Sequence, residues 1–468
     1  MALTQISTAG VKDDAVTSDK IPANAVGSSE LADNAVDTAA IAADAVTGAK
    51  IADDSIDSEH YADTSIDTAH ISNSAITSQK IADQAVTLDK IVHGTSSNDG
   101  KFLRANNGAD PTFESVITPA GRNLIINGNF KVAQRATSHG SSGYRTVDRW
   151  KMTAGGANAA LTQSQYSSIS GTSPYAEGHH QAFRIENAGQ NANTQGYVYM
   201  EHRIEAQDIV SSGWNYLSSS SYITLSFWVR ASVTQSYLIT LNTNDGTTRE
   251  WNHLVSLTGD QWTKVTMTIP GDSNITINND NGIGLILYLT PYLGSHYTAG
   301  STVDQWVNHA GYTSRPDMGD GWWTTSNSTF MLTGVQLEAG SKATPFQHRS
   351  YGQELALCQR YYYLLASGAT KFMCMGDFWI DAQADGGIVL PVEMRTTPTL
   401  DHTNGADYYR VWTNGTNSHI DGAVSLWNRS HNKAVTWYAT PDTNRTAGHS
   451  NRWITNNASA HFALSAEL

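Results

Sequence analysis

Apolar residues stand at every fifth position from Ile6 to Ile91, separated by small and polar ones: Ile6, Val11, Val16, Ile21, Val26, Leu31, Val36, Ile41, Val46, Ile51, Ile56, Tyr61, Ile66, Ile71, Ile76, Ile81, Val86 and Ile91. Two steps make a decapeptide, with AITSQKIAD at 75–83 a clean copy. A short fixed period held this long marks a repeat architecture. A step of five turns about 140° on an α-helix, so no stripe forms. On a strand it sends successive rungs to opposite faces. The spacing therefore predicts a short helical turn alternating with an extended step, with Thr17, Asp37, Asp57, Asp67 and Thr77 placed to cap the turns. Between rungs lie Ala, Ser, Thr and Asp, too little apolar surface for one chain to offset its ordering entropy. Several chains wound about one axis would make each rung an internal layer. The expectation for residues 1–91 is a homotrimeric shaft, with Val16, Ile21, Val36, Ile41, Ile51, Ile56, Ile66, Ile71, Ile76 and Ile81 in its ladder. Disorder is the competing reading of so acidic a segment, but disordered tracts seldom keep an unbroken apolar register. Eighty residues would span roughly 120 Å if helical and about 280 Å if extended.

Beyond the ladder the period changes. Residues 92–118 mix Gly, Asn, Asp and Pro with Phe102, Leu103 and Phe113, and are expected to be a linker. Residues 119–350 alternate bulky and polar positions at 222–230, 237–241, 262–269 and 284–290, with turn signals between them. That is the pattern of a β-sandwich of jelly-roll type. Residues 351–366 carry Leu355, Leu357, Cys358, Tyr361, Tyr362 and Leu365 near helical spacing and predict a connector helix. Short strand patterns resume over 367–468, expected to form a smaller β-sandwich at the distal tip. The fold class is thus mainly β: an elongated homotrimer with a repeat shaft and two sandwiches joined by one helix.

Composition narrows the setting. Charged residues make up 15% of the 468, with Gly, Ser, Thr and Asn abundant, the texture of extracellular or virion β-proteins. The net charge is −14, and residues 11–90, with five Lys against thirteen Asp and two Glu, carry ten of those charges. Net acidity with scattered Lys and Arg argues against nucleic acid as a partner. The first residues lack a basic patch followed by an apolar run, so no signal peptide is expected. No apolar stretch is long enough to span a membrane. Cys358 and Cys374 are expected to be buried thiols rather than a disulfide.

Several segments, taken in order, carry a resemblance. They are the decapeptide repeat, NLIINGNF at 123–130 with Gln134 and Arg135, Asp148–Trp150, FMLTGVQLEAG at 330–340 with Pro345 and Phe346, and ALCQRYY at 356–362 followed by LPVEMR at 390–395 and Pro398. Together they resemble tail fibres of tailed bacteriophages, most closely those of short-tailed phages of marine bacteria and cyanobacteria. The resemblance implies a homotrimeric virion fibre, made in the host cytoplasm and anchored by its N-terminus to a tail adaptor or another tail protein. Its distal head would touch the host envelope. Only a handful of residues precede the repeat, so the long N-terminal anchor of many such fibres is not seen.

The chemistry expected of such a head is non-covalent. Sugars present apolar C–H faces, so their sites pair an aromatic platform with amide, carboxylate or guanidinium hydrogen bonds. The C-terminal region offers Trp412, Trp427, Trp437, Tyr438 and Trp453 with Arg429 and Asn432; Trp412 and Trp427 border loop-like tracts. Trp306, Trp322 and Trp323 form a second candidate patch. The bland reading makes most of these core residues. Asp317 and Asp320 are candidates for a structural Ca²⁺ without diagnostic spacing, and no other cofactor is expected. His60 and His70 share a repeat register with Lys20, Lys50, Lys80 and Lys90, which favours a solvated face over a metal site. A capsular depolymerase would need two carboxylates roughly 5–9 Å apart; Glu201, Glu205, Glu338, Asp377 and Glu393 exist, but no local motif pairs them, and no catalytic elbow or zinc signature occurs. The expected function is host recognition by binding a surface polysaccharide, not catalysis. The alternatives are a depolymerase and a purely structural spike.

Overall fold

Over its described residues the ladder alternates two kinds of hydrogen-bonded turn. In one, Ala15 N–H donates to Lys12 O at 3.0 Å, Ala25 to Pro22 O at 3.0 Å and Ala45 to Ala42 O at 3.0 Å. Its third residue is left-handed at Asp14, Asn24, Asn34, Asp44 and Thr64, with φ between 61° and 69°, a conformation that Asn and Asp tolerate best after Gly. The other is a single 3₁₀ turn at Ser18–Lys20, Gly48–Lys50, Ser58–His60 and Ser78–Lys80. Asp57 accepts from Glu59 N–H at 3.1 Å, and Asp37 accepts from Ala39 and Ala40 N–H at 3.0 and 2.9 Å. Thr17 is extended at its cap position without a side-chain bond. Lys20, Lys50 and Lys80 reach back to the carbonyls of Ala15, Ala45 and Ala75 at 2.7 to 2.8 Å. The expected turn-and-step alternation is therefore present. Every rung from Val11 to Ile81 is 37 to 60% exposed in the single chain.

This computed structural model describes residues 8–81, 101–115 and 122–468, except 30, 38, 54, 63, 67, 68, 73, 74, 107, 108, 157–159, 190, 191, 301 and 312–314. The rungs Ile6, Val86 and Ile91 and the cap candidate Asp67 lie outside the described residues. The chain divides into two units, Met1–Ser115 and Val116–Leu468. Where a linker was expected, the first unit holds a hairpin of Lys101–Asn106 and Ala109–Ser115, with Leu103 opposite Phe113.

The second unit begins with a sandwich of two six-stranded antiparallel sheets. One runs Trp306–Asn308, Arg249–Leu257, Gln235–Thr243, Ile283–Leu293, Tyr197–Glu205, Trp150–Gly155; the other Thr263–Pro270, Tyr222–Ala231, Ser328–Ala339, Ala182–Asn187, Leu161–Tyr166, Ser138–His139. Alternation sends Ile223, Leu225, Phe227 and Val229 inward from one sheet and Leu285, Leu287 and Leu289 from the other, each stabilising by about 1.5–3 kcal/mol. The 123–130 motif is scaffolding. Asn127 donates to the carbonyls of Val132 and Asp148, and Asn123 Oδ1 accepts from Ile125 and Leu337 N–H.

The connector helix is shorter than the sequence spacing predicts. Tyr351–Gln359 is helical, capped reciprocally by Ser350 and Gln353, and Leu355, Leu357, Cys358 and Tyr361 pack on Ile126 and Val132. Tyr362–Ser367 is a strand instead, paired with His461–Ser465; aromatic residues suit a pleated surface, and that pairing overrides the helical spacing. His461–Ser465 also pairs with Thr399–His402, closing a three-stranded sheet that faces a seven-stranded one. Both cysteines are buried free thiols, as expected. No described helix is long and apolar enough to cross a membrane.

Candidate functional site

The seven-stranded sheet runs Thr416–Ile420, Tyr409–Thr413, Ser450–Thr455, Phe372–Ile380, Gln383–Val389, Ala434–Ala439, Ser425–Leu426. Its inner face, with Val411, Trp453, Phe378 and Trp437, forms the core of the C-terminal sandwich. Its outer face is open. Trp412 pairs with Arg452 and Arg452 with Met375, so the three side chains form one row across adjacent strands. The Arg452 guanidinium lies 5.3 Å from the Trp412 ring centroid. Trp412 is 39% exposed and Met375 54%. The tract after Trp412 is a two-residue hairpin turn rather than a loop: Asn414 and Gly415 both have positive φ, and Thr413 pairs with Thr416, the backbone that Asn-Gly favours.

A second aromatic–guanidinium group stands at the other end of the sheet. Trp427 and Tyr438 have ring centroids 4.5 Å apart, and Arg429 sits 4.7 Å over Trp427. The largely buried Asp385 holds the group: its Oδ2 accepts from Trp427 Nε1 at 2.9 Å and from Arg429 at 3.2 Å, and its Oδ1 accepts from Gln383 at 2.8 Å. Between lies a groove of about 400 Å³ lined by Met375, Gly386, Gly387, Val389, Arg429 and Thr436. Met375 also borders a smaller hollow of about 220 Å³ lined by Trp412, Asn414 and Arg452. A Cβ on Gly386 would fall 2.8 Å from the Nε1 atoms of both Trp437 and Trp453, so only glycine lets that strand settle onto the tryptophan layer.

The expected site residues divide accordingly. Trp412, Trp427, Tyr438 and Arg429 are on the outer face. Trp437 and Trp453 are fully buried, edge to face with centroids 6.1 Å apart, and offer no platform; strand alternation puts Trp437 inward once Tyr438 faces out. Asn432 is engaged by Glu393 at 2.8 Å. The proposed second patch is core. Trp306 donates to Pro270 O at 2.7 Å against Trp251, and Trp323 stacks on Tyr292 at 4.7 Å beside the buried Trp322. A one-turn helix at Gly321–Thr324 folds both of those rings inward. The sequence reading missed Asp385, Met375 and the Gly386–Gly387 pair; two glycines inside a strand were the available signal for a close approach.

Four of the five carboxylates weighed for catalysis, Glu201, Glu205, Glu338 and Glu393, are engaged by neighbouring side chains. Glu201 bonds Arg203 and Thr153, and Glu338 holds Thr344 and Gln336. Burial would raise the Glu205 pKa, but hydrogen bonds from Arg360 and Tyr361 outweigh it and hold the carboxyl below its usual range. Among the described residues no three His, Cys, Asp or Glu side chains gather to hold a metal; Asp317 accepts from Gly319 N–H at 3.3 Å.

No protein-family model matches this chain, and no curated protein matches it. Among solved structures it is similar to the enzymatically active domain of bacteriophage CBA120 tailspike protein 4, at 8% identity and a TM-score of 0.26, over 49% of this chain and 23% of that one. The chain thus spans under a quarter of that tailspike domain. It is also similar to the family 11 carbohydrate-binding module of a cellulosomal cellulase of Clostridium thermocellum (11% identity, TM-score 0.23, 44% of this chain and 96% of that one). A third is a putative sugar binding protein from Bacteroides thetaiotaomicron (12% identity, TM-score 0.26, 47% of this chain and 100% of that one).

Proposed function

We propose that this chain is a tail fibre of a tailed bacteriophage that adsorbs to its host by binding a cell-surface glycan on the outer face of the distal sandwich. The observation that carries the sugar reading is the groove floored by Gly386–Gly387 and bordered by Met375, with one aromatic–guanidinium group toward each end. An exposed indole stacks on the C–H face of a pyranose, while guanidinium and amide groups at its rim take the hydroxyls. Asp385 pre-positions Trp427 and Arg429, lowering the ordering cost of binding. The fibre reading rests on the order of the resembling segments and on the uncovered ladder, which a homotrimer would bury. Three heads on one shaft raise effective concentration, so modest single sites suffice.

The test is adsorption of the fluorescently labelled full chain to candidate host cells, with extracted host polysaccharide as competitor. Saturable, competed binding that Trp412→Ala abolishes is expected. A folded chain that adsorbs to no host cell overturns the reading, and release of reducing ends from the polysaccharide would make it a depolymerase.

A further inference from the structure

On the outer face of the distal sheet, Arg410 is two residues before Trp412 and shares its side by strand alternation. Arg410 pairs with Ile454, and Ile454 lies two residues beyond Arg452. The two arginines are therefore diagonal neighbours on adjacent strands, roughly 7–8 Å apart, and Trp412 adjoins both, two residues along the strand from Arg410 and directly opposite Arg452.

Their bonding sets them apart. Among the described residues of Val116–Leu468, every other arginine is held by a carboxylate, a carbonyl or a hydroxyl oxygen. With the described residues Arg410 and Arg452 make no ion pair and no side-chain hydrogen bond, and the Nε of Arg410, like those of Arg149 and Arg249, is buried without a partner. Asp377, beside Met375's row on the neighbouring strand, makes no ion pair with Arg452. In a chain of net charge −14, carboxylates are not scarce; these two guanidinium groups are left without one where the only half-exposed tryptophan of the sheet's Tyr409–Thr413 strand stands.

We propose that this face takes an anionic saccharide, Arg410 and Arg452 receiving its carboxylate or sulfate groups while a sugar ring packs on Trp412. A guanidinium presents paired N–H donors whose fork matches such oxyanions, and such charge-assisted bonds are about twice as strong as neutral ones. This rests on the glycan reading above and narrows it to a charge class.

The test measures binding of the full chain to sodium alginate (carboxylate), dextran sulfate (sulfate) and neutral dextran by calorimetry across a salt series. At least one anionic polymer is expected to bind about tenfold or more tighter than dextran, and Arg410→Gln and Arg452→Gln each to weaken it by about tenfold. Arg145→Gln, elsewhere on the surface, should leave it unchanged, which separates a defined site from general attraction to polyanions. Which polymer binds identifies the anion. Equal affinity for dextran and both anionic polymers, or arginine variants that bind as the parent does, overturns the inference. A change of oligomeric state on Arg410→Gln also overturns it, because it would assign the pair to a carboxylate of a second copy. None of these outcomes touches the host-cell adsorption on which the broader reading stands or falls.

Discussion

The Arg149 guanidinium sits over the ring of Tyr361, its central carbon 3.4 Å from the ring centroid, so a residue of the first sandwich and one at the end of the connector helix share a buried contact. Around it, Arg149 bonds Glu467, Glu205 takes Arg360 in a bidentate pair at 2.7 and 2.8 Å, and Arg395 exchanges hydrogen bonds with Asn281. The Asp148–Trp150 and 356–362 segments thus meet as the lock between the two sandwiches. Removing one partner of a buried pair leaves an uncompensated charge and costs about 3–5 kcal/mol. Glu205→Ala is expected to lower stability by that order, with the C-terminal sandwich melting first in calorimetry. A melting curve unchanged within about 1 °C would mean that this network does not join the sandwiches.

Much of this was legible, and the limits have physical causes. The five-residue ladder dictated its own turns, because neither regular element could accommodate it. Strand alternation marked 222–230 and 284–290 at once. It could say that Trp437 and Tyr438 point to opposite faces, but which one meets the core depends on the three-stranded sheet packed behind. The row Trp412, Arg452, Met375 comes from three strands whose residues lie some 40 and 77 positions apart in the chain, a register that no local pattern encodes. Trp322 and Trp323 sit in a Gly/Asp-rich stretch that reads as loop, and a single helical turn buries them.

That division predicts opposite outcomes for tryptophans of one sheet. Trp412→Ala removes a half-exposed ring and should change stability by no more than about 0.5 kcal/mol while abolishing glycan binding. Trp437→Ala empties the core between Trp453 and Phe462 and should cost about 3–5 kcal/mol. Urea unfolding beside a binding assay reads both. Equal destabilisation by the two would contradict the assignment of faces.

Asp385 acts through its neighbours. In Asp385→Ala, Trp427 Nε1 and Arg429 lose their common acceptor, and the affinity contributed by that end of the groove should fall several-fold. Asp385→Asn keeps one acceptor oxygen and should retain part of it. Ring order can be followed by the indole N–H resonance of Trp427, assigned by its loss in Trp427→Phe. Affinity unaffected by Asp385→Ala would remove Asp385 from the site.

Acidification should weaken the first sandwich through His179. Burial, with the nearby charge of His348, pushes its pKa from 6.5 down to about 4. The folded state therefore holds the ring neutral where the unfolded chain protonates it. Its contribution is intact above pH 6.5 and is lost as pH falls from 6.5 toward 4, by roughly 2–3 kcal/mol. Asp148 works the other way: burial raises its carboxyl to about 6, so it gains stability over part of the same range. The histidine's share is the difference between the parent and His179→Gln, whose melting temperature should fall less between pH 7 and pH 4.5. Parallel pH profiles would contradict it.

The ladder offers the sharpest test of assembly. On a lone chain, Ile51, Ile66 and Ile71 are already 37 to 46% exposed, so replacing all three by Ser removes little that the single chain buries. If the rungs are interior layers of a three-chain shaft, each replacement instead loses the transfer energy of a buried aliphatic side chain from every copy, about 1.5–3 kcal/mol apiece. Nine such losses per assembly exceed what a slender shaft with only two rungs per decapeptide can absorb. Sedimentation equilibrium of the full chain should give three times its 50.6 kDa mass, and the triple variant should fall toward one. A parent that sediments as a single chain, or a variant that stays threefold, would show that these rungs do not hold the assembly together.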